Sequence, residues 1–579
     1  MNHIIDRRAL LRGAGIAGGG LALAAHWAGW ASPVSNGAAL PELTGEEITL
    51  TVDHLMRRVD GRTSHGIGIN GHAPAPLIRL KEGQNVRIHV DNRLDEETSV
   101  HWHGLILPFQ MDGVPGVSFP GIPARSRFTY EFPVVQSGTY WYHSHSGLQE
   151  QMGHYGPIVI DPAGADPVAF DREHVVVLSD HSPLHPHAIF RRLKLEPGYF
   201  NRQRQTLGGL LAGRDQDGGT RAEWGAMRMD PTDIADVTGS TYTYLVNGHG
   251  PADNWTALFQ PGERVRLRFI NASAMTTFNV RIPGQPMTVV AADGQNVRPV
   301  EVDEFQFAPA ETYDVVVTPA GDRAWTIVGE SIDRSGMARA TLAPRIGMTA
   351  AVPPLRTRPV AMMRDMGMGA MGGDCAPEHA AVGHCSPDSG GHAMEHDMRD
   401  FSVAPQVRPG PGVQTISPMP VDRTSEPGQG LEGVGHRTLT YRQLVALNRN
   451  PDTRAPGREI EIHLTGNMER YMWSFDGVKF AHVDAPIPMR SGERVRVTLV
   501  NDTMMGHPIH LHGHFFELVT GHGDHSPRKH TVLVQPGGKV SWDVTADPGD
   551  WAFHCHMLYH MHAGMMQVVQ VRNEAGAVA

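Results

Sequence analysis

One strand pattern occurs three times along this chain. Gly83-Gln-Asn-Val-Arg-Ile-His-Val-Asp-Asn92, Gly262-Glu-Arg-Val-Arg-Leu-Arg-Phe-Ile-Asn271 and Gly492-Glu-Arg-Val-Arg-Val-Thr-Leu-Val-Asn501 each start on glycine and reach asparagine nine positions later. Apolar residues alternate between those ends, which predicts a strand with one buried face. The same strand repeated at wide intervals means repeated domains. Short strands punctuated by 65 Gly and 43 Pro point to antiparallel β-sandwiches. The expected fold is therefore all-β, with domains at about 46–165, 172–345 and 431–573. Between 346 and 430 Gly, Pro, Met and His dominate and no apolar period is visible, so a long mobile insertion is expected there.

The repeats differ in what they carry nine residues beyond the asparagine. The first has His101 and His103, the third has His510 and His512, and the second has Val280 and Ile282. A later strand repeats the contrast. It ends in His143-Ser-His145 in the first repeat and His554-Cys555-His556 in the third, while Arg323 to Glu330 in the second has no His, Cys or Met. Residues i and i+2 of a strand share a face, so each pair presents two imidazoles together. At this histidine content chance alone gives roughly two such pairs. His185/His187 is assigned to that background, but four pairs at matching positions of two repeats indicate a metal site.

Cys555 lies between two such histidines, so its thiolate faces the other side of the strand. His560 follows five residues later, Met565 ten later, and His507 stands three before His510. One Cys, two His and a weak Met make a trigonal blue-copper site. Electrons arriving there can pass through Cys555 to its two neighbours.

Taken together, His101-Trp-His103-Gly, His143-Ser-His145, His507-Pro-Ile-His510-Leu-His512 and His554-Cys555-His556-Met-Leu-Tyr-His560 with Met565 resemble the four motifs of the multicopper oxidases. Within that family Gln136 to Ser146, Ala291 to Asn296 and Leu464 to Asp476 resemble the bacterial periplasmic copper-resistance oxidases of the CopA type. The resemblance implies three cupredoxin-like Greek-key domains and four copper ions. It implies that His101 and His510 hold a type 2 copper, and that His103, His143, His145, His512, His554 and His556 hold a type 3 pair. His507, Cys555 and His560 would hold the type 1 copper, with Met565 axial. The implied reaction couples one-electron oxidations at the type 1 site to the four-electron reduction of dioxygen to water.

Asp112 matches a family position near the cluster and is expected to relay protons, although Asp before Gly113 also reads as a plain turn. Some relatives carry an acidic residue directly after the last type 1 histidine, where this chain has Met561. An axial thioether predicts a moderate potential, suited to Cu(I) or easily oxidised phenols. The insertion favours copper, because Met362, Met363, Met366, Met368, Met371, Met394 and Met398 are Cu(I)-selective donors. His379, His384, His392 and His396 accompany them; Cys375 and Cys385 read equally as a disulfide or as further ligands. Arg7-Arg8 before a Gly/Ala/Leu-rich run to about residue 31 resembles a twin-Arg export signal, with a membrane anchor as the rival reading. A net charge of −11 without a basic cluster argues against nucleic acid. The expectation is a periplasmic cuprous oxidase; a laccase-like phenol oxidase and a copper-sequestering protein are the alternatives.

Overall fold

The computed structural model describes residues 39–368 and 398–573. The twin-Arg segment, Met371, Met394, Cys375, Cys385 and the four insertion histidines lie outside the described residues. Three pairs of facing sheets follow one another along the chain. The repeated strands, Asn85–Asn92, Val265–Asn271 and Arg494–Asn501, occupy the same place in each. Each runs parallel to a strand before it (Glu47–Val59, Arg172–His181, Arg458–Asn467). Each runs antiparallel to one after it (Arg127–Pro133, Thr312–Val317, Gly538–Thr545). The sheets are thus mixed rather than purely antiparallel as the turn content suggests, because successive strands cross between the two sheets of a sandwich before they pair.

Both ends of the repeated pattern have a structural reason. Gly83, Gly262 and Gly492 lie at φ of +93°, +89° and +73°, a region that a side chain disfavours. Asn92, Asn271 and Asn501 are buried and close the strand in one way. Each Oδ1 accepts the backbone N–H two residues on, from Leu94, Ser273 or Thr503. Each Nδ2 donates to a carbonyl of a distant segment, that of Ile122, Phe307 or Val534. The asparagine therefore turns the chain and pins the turn to a segment distant in sequence.

The second strand pair positions the site. His101–His103 pairs with Gly138–His143 so that His101 faces His143. His507–Leu511 pairs with Gly549–Cys555 so that His510 faces His554. In the second repeat the matching pair sets Val280 opposite Gly329, and both Val280 and Ile282 join the apolar core.

The described parts of the insertion make defined contacts. Arg356 reaches Glu304 and Glu330 of the second repeat at 2.5 and 2.6 Å. Asp365 pairs with Arg423 at 2.7 Å, both almost fully buried. Ala404, Val407, Val413 and Ile416 form a small core of their own. These stretches are short 3-10 turns and extended chain, which leave no helix or strand period to read.

Candidate metal centres

Eight histidines meet where the first repeat abuts the third. His103, His143 and His556 bring ring nitrogens within 4.8 Å of one another, and so do His145, His512 and His554. His101, His103 and His510 form a third such group. Seven of the eight rings are buried and that of His145 is half-buried. Strand alternation explains the aim. While His101 and His103 face the cluster, Trp102 between them packs on Tyr130, Phe132 and Tyr142 in the core of the first repeat.

Most of these rings are tied down by the nitrogen that faces away. His101 Nδ1 donates to the Asp112 carbonyl at 2.7 Å, and His512 Nδ1 to Asp112 Oδ2 at 2.8 Å. His510 Nδ1 donates to the His530 carbonyl at 2.6 Å, and His554 Nδ1 to the Cys555 carbonyl at 2.9 Å. His143 Nδ1 lies 2.8 Å from Glu150 Oε2. His103 is held the other way round, with Nε2 3.1 Å from Thr531 Oγ1.

The remaining nitrogens test whether a metal fits. Those of His101, His103, His145 and His510 are buried without a hydrogen-bond partner. His512 Nε2 faces His554 Nε2 at 2.9 Å, although each ring has already given its proton to an oxygen on the far side. Two lone pairs at that distance repel unless a cation lies between them. Burial, then the neighbouring rings, holds His103, His143, His145, His510, His512 and His556 well below the usual histidine range. Burial also takes His554 down to about 4. Neutral imidazole is the state that binds metal.

A second centre lies on the other face of the same strand. Cys555 Sγ is 3.6 Å from His507 Nδ1 and 3.8 Å from His560 Nδ1. Metal bonds of roughly 2.0 Å to nitrogen and 2.3 Å to sulfur in a trigonal plane would set N and S ~3.7 Å apart. Burial pushes the Cys555 thiol well up, so a thiolate there needs a cation. His507 Nε2 is anchored by Thr503 Oγ1 at 2.8 Å, and His560 Nε2 by Asp236 Oδ2 at 2.6 Å. Trp473 stacks on His560, and Met565 is fully buried with its carbonyl accepting from Cys555 N–H. Cys555 pairs with Ile509 on the rung next to His510 and His554, so the two centres are joined by consecutive backbone positions.

The structure thus brings together the predicted histidines and Cys555, and it gives Asp112 two contacts with the cluster. The Asp-Gly turn is what aims it, since Gly113 at φ +86° has no room for a Cβ beside the Val100 carbonyl. Glu150, Asp236, Thr503, Thr531, Asp293 and His530 were not foreseen. His530 and His514 are both buried. His185 is the N-cap of helix Pro186–Leu195 and accepts from His187 N–H, as befits a pair outside the repeats. Met363, Met366, Met368 and Met398 gather with Met227, Met229, Met468 and Met504 around Trp224 and Ile234, while Met362 is largely exposed.

This pairing of a Cys/His centre with an eight-histidine cluster is that of a copper oxidase, and the chain belongs to the multicopper oxidase family. Multicopper oxidase family models match residues 51–165, 222–351 and 453–575. The chain is 47% identical to copper resistance protein A of Escherichia coli, over 98% of this chain and 99% of that protein. It is 31% identical to the multicopper oxidase MmcO of Mycobacterium tuberculosis, over 97% and 95% of the two. Its fold is similar to that of Fet3p, a multicopper oxidase that functions in iron import, with a TM-score of 0.63 at 20% identity, covering 91% of this chain and 90% of the other. Membership implies four copper ions, an oxygen-dependent oxidoreductase reaction and a reducing substrate.

Proposed function

We propose that the chain is a periplasmic cuprous oxidase that serves copper resistance. Four Cu(I) ions, one dioxygen and four protons would give four Cu(II) ions and two waters. The observation that carries this reading is the methionine cluster. Met504 adjoins Thr503, which anchors His507, and Ile234 stands two residues from Asp236, which anchors His560. Soft thioethers select Cu(I), so they would gather the donor beside the centre that takes its electron. The resemblance to copper resistance protein A of Escherichia coli supports the physiological role.

In this reading His507, Cys555, His560 and Met565 would hold the type 1 copper. His101 and His510 would hold the type 2 copper, and His103, His143, His145, His512, His554 and His556 would hold the type 3 pair. All ligands then come from 46–165 and 431–573, and none from 172–345. Bound copper supplies one-electron redox chemistry at the first centre and dioxygen reduction at the second. The chain's part is to orient and to exclude water. Cys555 conducts to His554 and His556 through the backbone. Asp112 Oδ2 holds the Nδ1 proton of His512 and relays protons toward the cluster. Export would use Arg7-Arg8, and a twin-lysine variant should stay in the cytoplasm on fractionation.

The test compares Cu(I) and dimethoxyphenol oxidation by the same copper-loaded protein. Removing 361–398 would also remove buried Asp365 and Met366, so the informative variants are a deletion of 369–397 and a Met227→Leu, Met229→Leu, Met398→Leu triple. Leu is close to Met in volume, which spares the packing. kcat/KM for Cu(I) should fall about tenfold, the equivalent of 1.4 kcal/mol, with phenol oxidation unchanged. Unchanged Cu(I) kinetics in both variants would refute the reading in favour of a phenol oxidase, and no oxygen uptake with either substrate would favour a sequestering protein.

A further inference from the structure

The second repeat holds none of the proposed copper ligands, yet it reaches the cluster through Asp293. This residue follows strand Met287–Ala292 at φ +48° and is completely buried. Its Oδ2 accepts the backbone N–H of both His530 and Thr531 of the third repeat, each at 3.1 Å. Its Oδ1 accepts from Thr312 N–H at 3.0 Å and lies 3.1 Å from Lys529 Nζ. Lys529 is also fully buried, and its other anion is Glu311 at 3.1 Å.

The dipeptide held in this way touches two cluster rings from different repeats. The His530 carbonyl accepts from His510 Nδ1 at 2.6 Å. Thr531 Oγ1 and His530 Nδ1 lie 3.1 and 3.2 Å from Nε2 of His103. His103 and His510 stack at 3.9 Å, although one belongs to the first repeat and the other to the third. Strand geometry within a repeat cannot fix that approach. A clamp tied to the second repeat can, because it references both rings to one carboxylate.

We propose that Asp293 is a positioning residue for the copper cluster, acting through the backbone of His530 and Thr531 on the rings of His103 and His510. This rests on the reading of those two histidines as ligands. An ion-paired lysine with no solvent contact is a costly way to fill space, and its cost is explained if the anion it accompanies must be held still.

The experiment uses the copper-loaded full chain with two variants. Asp293→Asn removes the charge and one acceptor, and Thr531→Val removes only the hydroxyl at nearly constant shape. Three readouts are taken: the blue absorption of the Cys555 centre, the EPR signal of the non-blue copper, and the rate of copper loss to a chelator. In both variants the blue band should persist. The non-blue EPR splitting should change, and cluster copper should be lost about tenfold faster. Wild-type EPR and wild-type copper retention in both variants would overturn the proposal. Loss of the blue band together with the EPR signal in Thr531→Val would also overturn it, by showing general packing instead. Absence of any non-blue copper signal in the wild-type protein is a separate outcome, and it would reject the ligand reading itself.

Discussion

Replacing Asp236 by Asn should raise the potential of the Cys555 centre. Asp236 is buried, accepts from His560 Nε2 at 2.6 Å and from the Tyr471 hydroxyl at 2.8 Å. Its charge lies across one imidazole from the metal position, a path of roughly 7 Å when the ring and a metal–nitrogen bond of ~2.0 Å are added to the hydrogen bond. With an effective dielectric constant of ~20, a unit charge at that separation contributes about 2 kcal/mol. A negative charge favours the oxidised ion, so its removal shifts a one-electron couple upward by ~100 mV, at 59 mV per factor of ten. Asn keeps the shape and can still accept from His560, so the blue chromophore should survive. The assay is a spectroelectrochemical titration of the blue band, with Tyr471→Phe as the control that leaves the charge in place and should shift the potential far less. An unchanged or lowered potential in Asp236→Asn, with the band intact, would show that the carboxylate does not tune this centre.

Other consequences can be checked in the same protein. Cys555→Ser should abolish the blue absorption and turnover while the histidine cluster still binds copper; wild-type Cu(I) oxidation in that variant would contradict the proposed route. Burial, reinforced by Asp236 and Asp230, pushes Asp233 up to about 8. It is therefore neutral at pH 7 and gains its charge as the pH rises through that value, which should lower the blue-copper potential by tens of millivolts; the shift should vanish in Asp233→Asn, and its persistence there would assign it to another group. Asp314 binds Arg266 at 2.6 Å, Arg268 at 3.0 Å and Thr139 of the first repeat at 2.8 Å, all buried. Asp314→Ala leaves two guanidiniums short of a carboxylate and should cost ~3 kcal/mol in urea unfolding; a loss under ~1 kcal/mol would mean that the remaining partners, Asp166 and Glu173, suffice.

The copper-binding motifs were legible because they are local. A strand's period of two puts His101 with His103 and sets Cys555 against its neighbours, and this needs only a few consecutive residues. Comparison of the repeats then separated His101 and His510 from Val280 without any knowledge of contacts. The contacts of the insertion's described parts were not legible for the complementary reason. Arg356 and Asp365 hold it through ion pairs with Glu304, Glu330 and Arg423, and such pairs have no sequence period. The methionine cluster was half visible, since Met363, Met366, Met368 and Met398 stood in a biased segment. Met227, Met229, Met468 and Met504 joined them only in the fold.

By itself the sequence determined the repeated strand, the all-β class, and which repeats carry the paired histidines and Cys555. Those features follow from alternation along a strand and from the chemistry of His and Cys. Only the tertiary structure decided what holds these side chains in place. Asp112 meets His512 across 400 residues, Asp236 meets His560 across 324, and Asp293 meets His530 across 237. Each is a single polar residue on a turn or loop, and its partner lies far beyond its sequence neighbours. Its role exists only because packing three sandwiches together leaves one carboxylate within hydrogen-bond reach of an imidazole or of the backbone that anchors one.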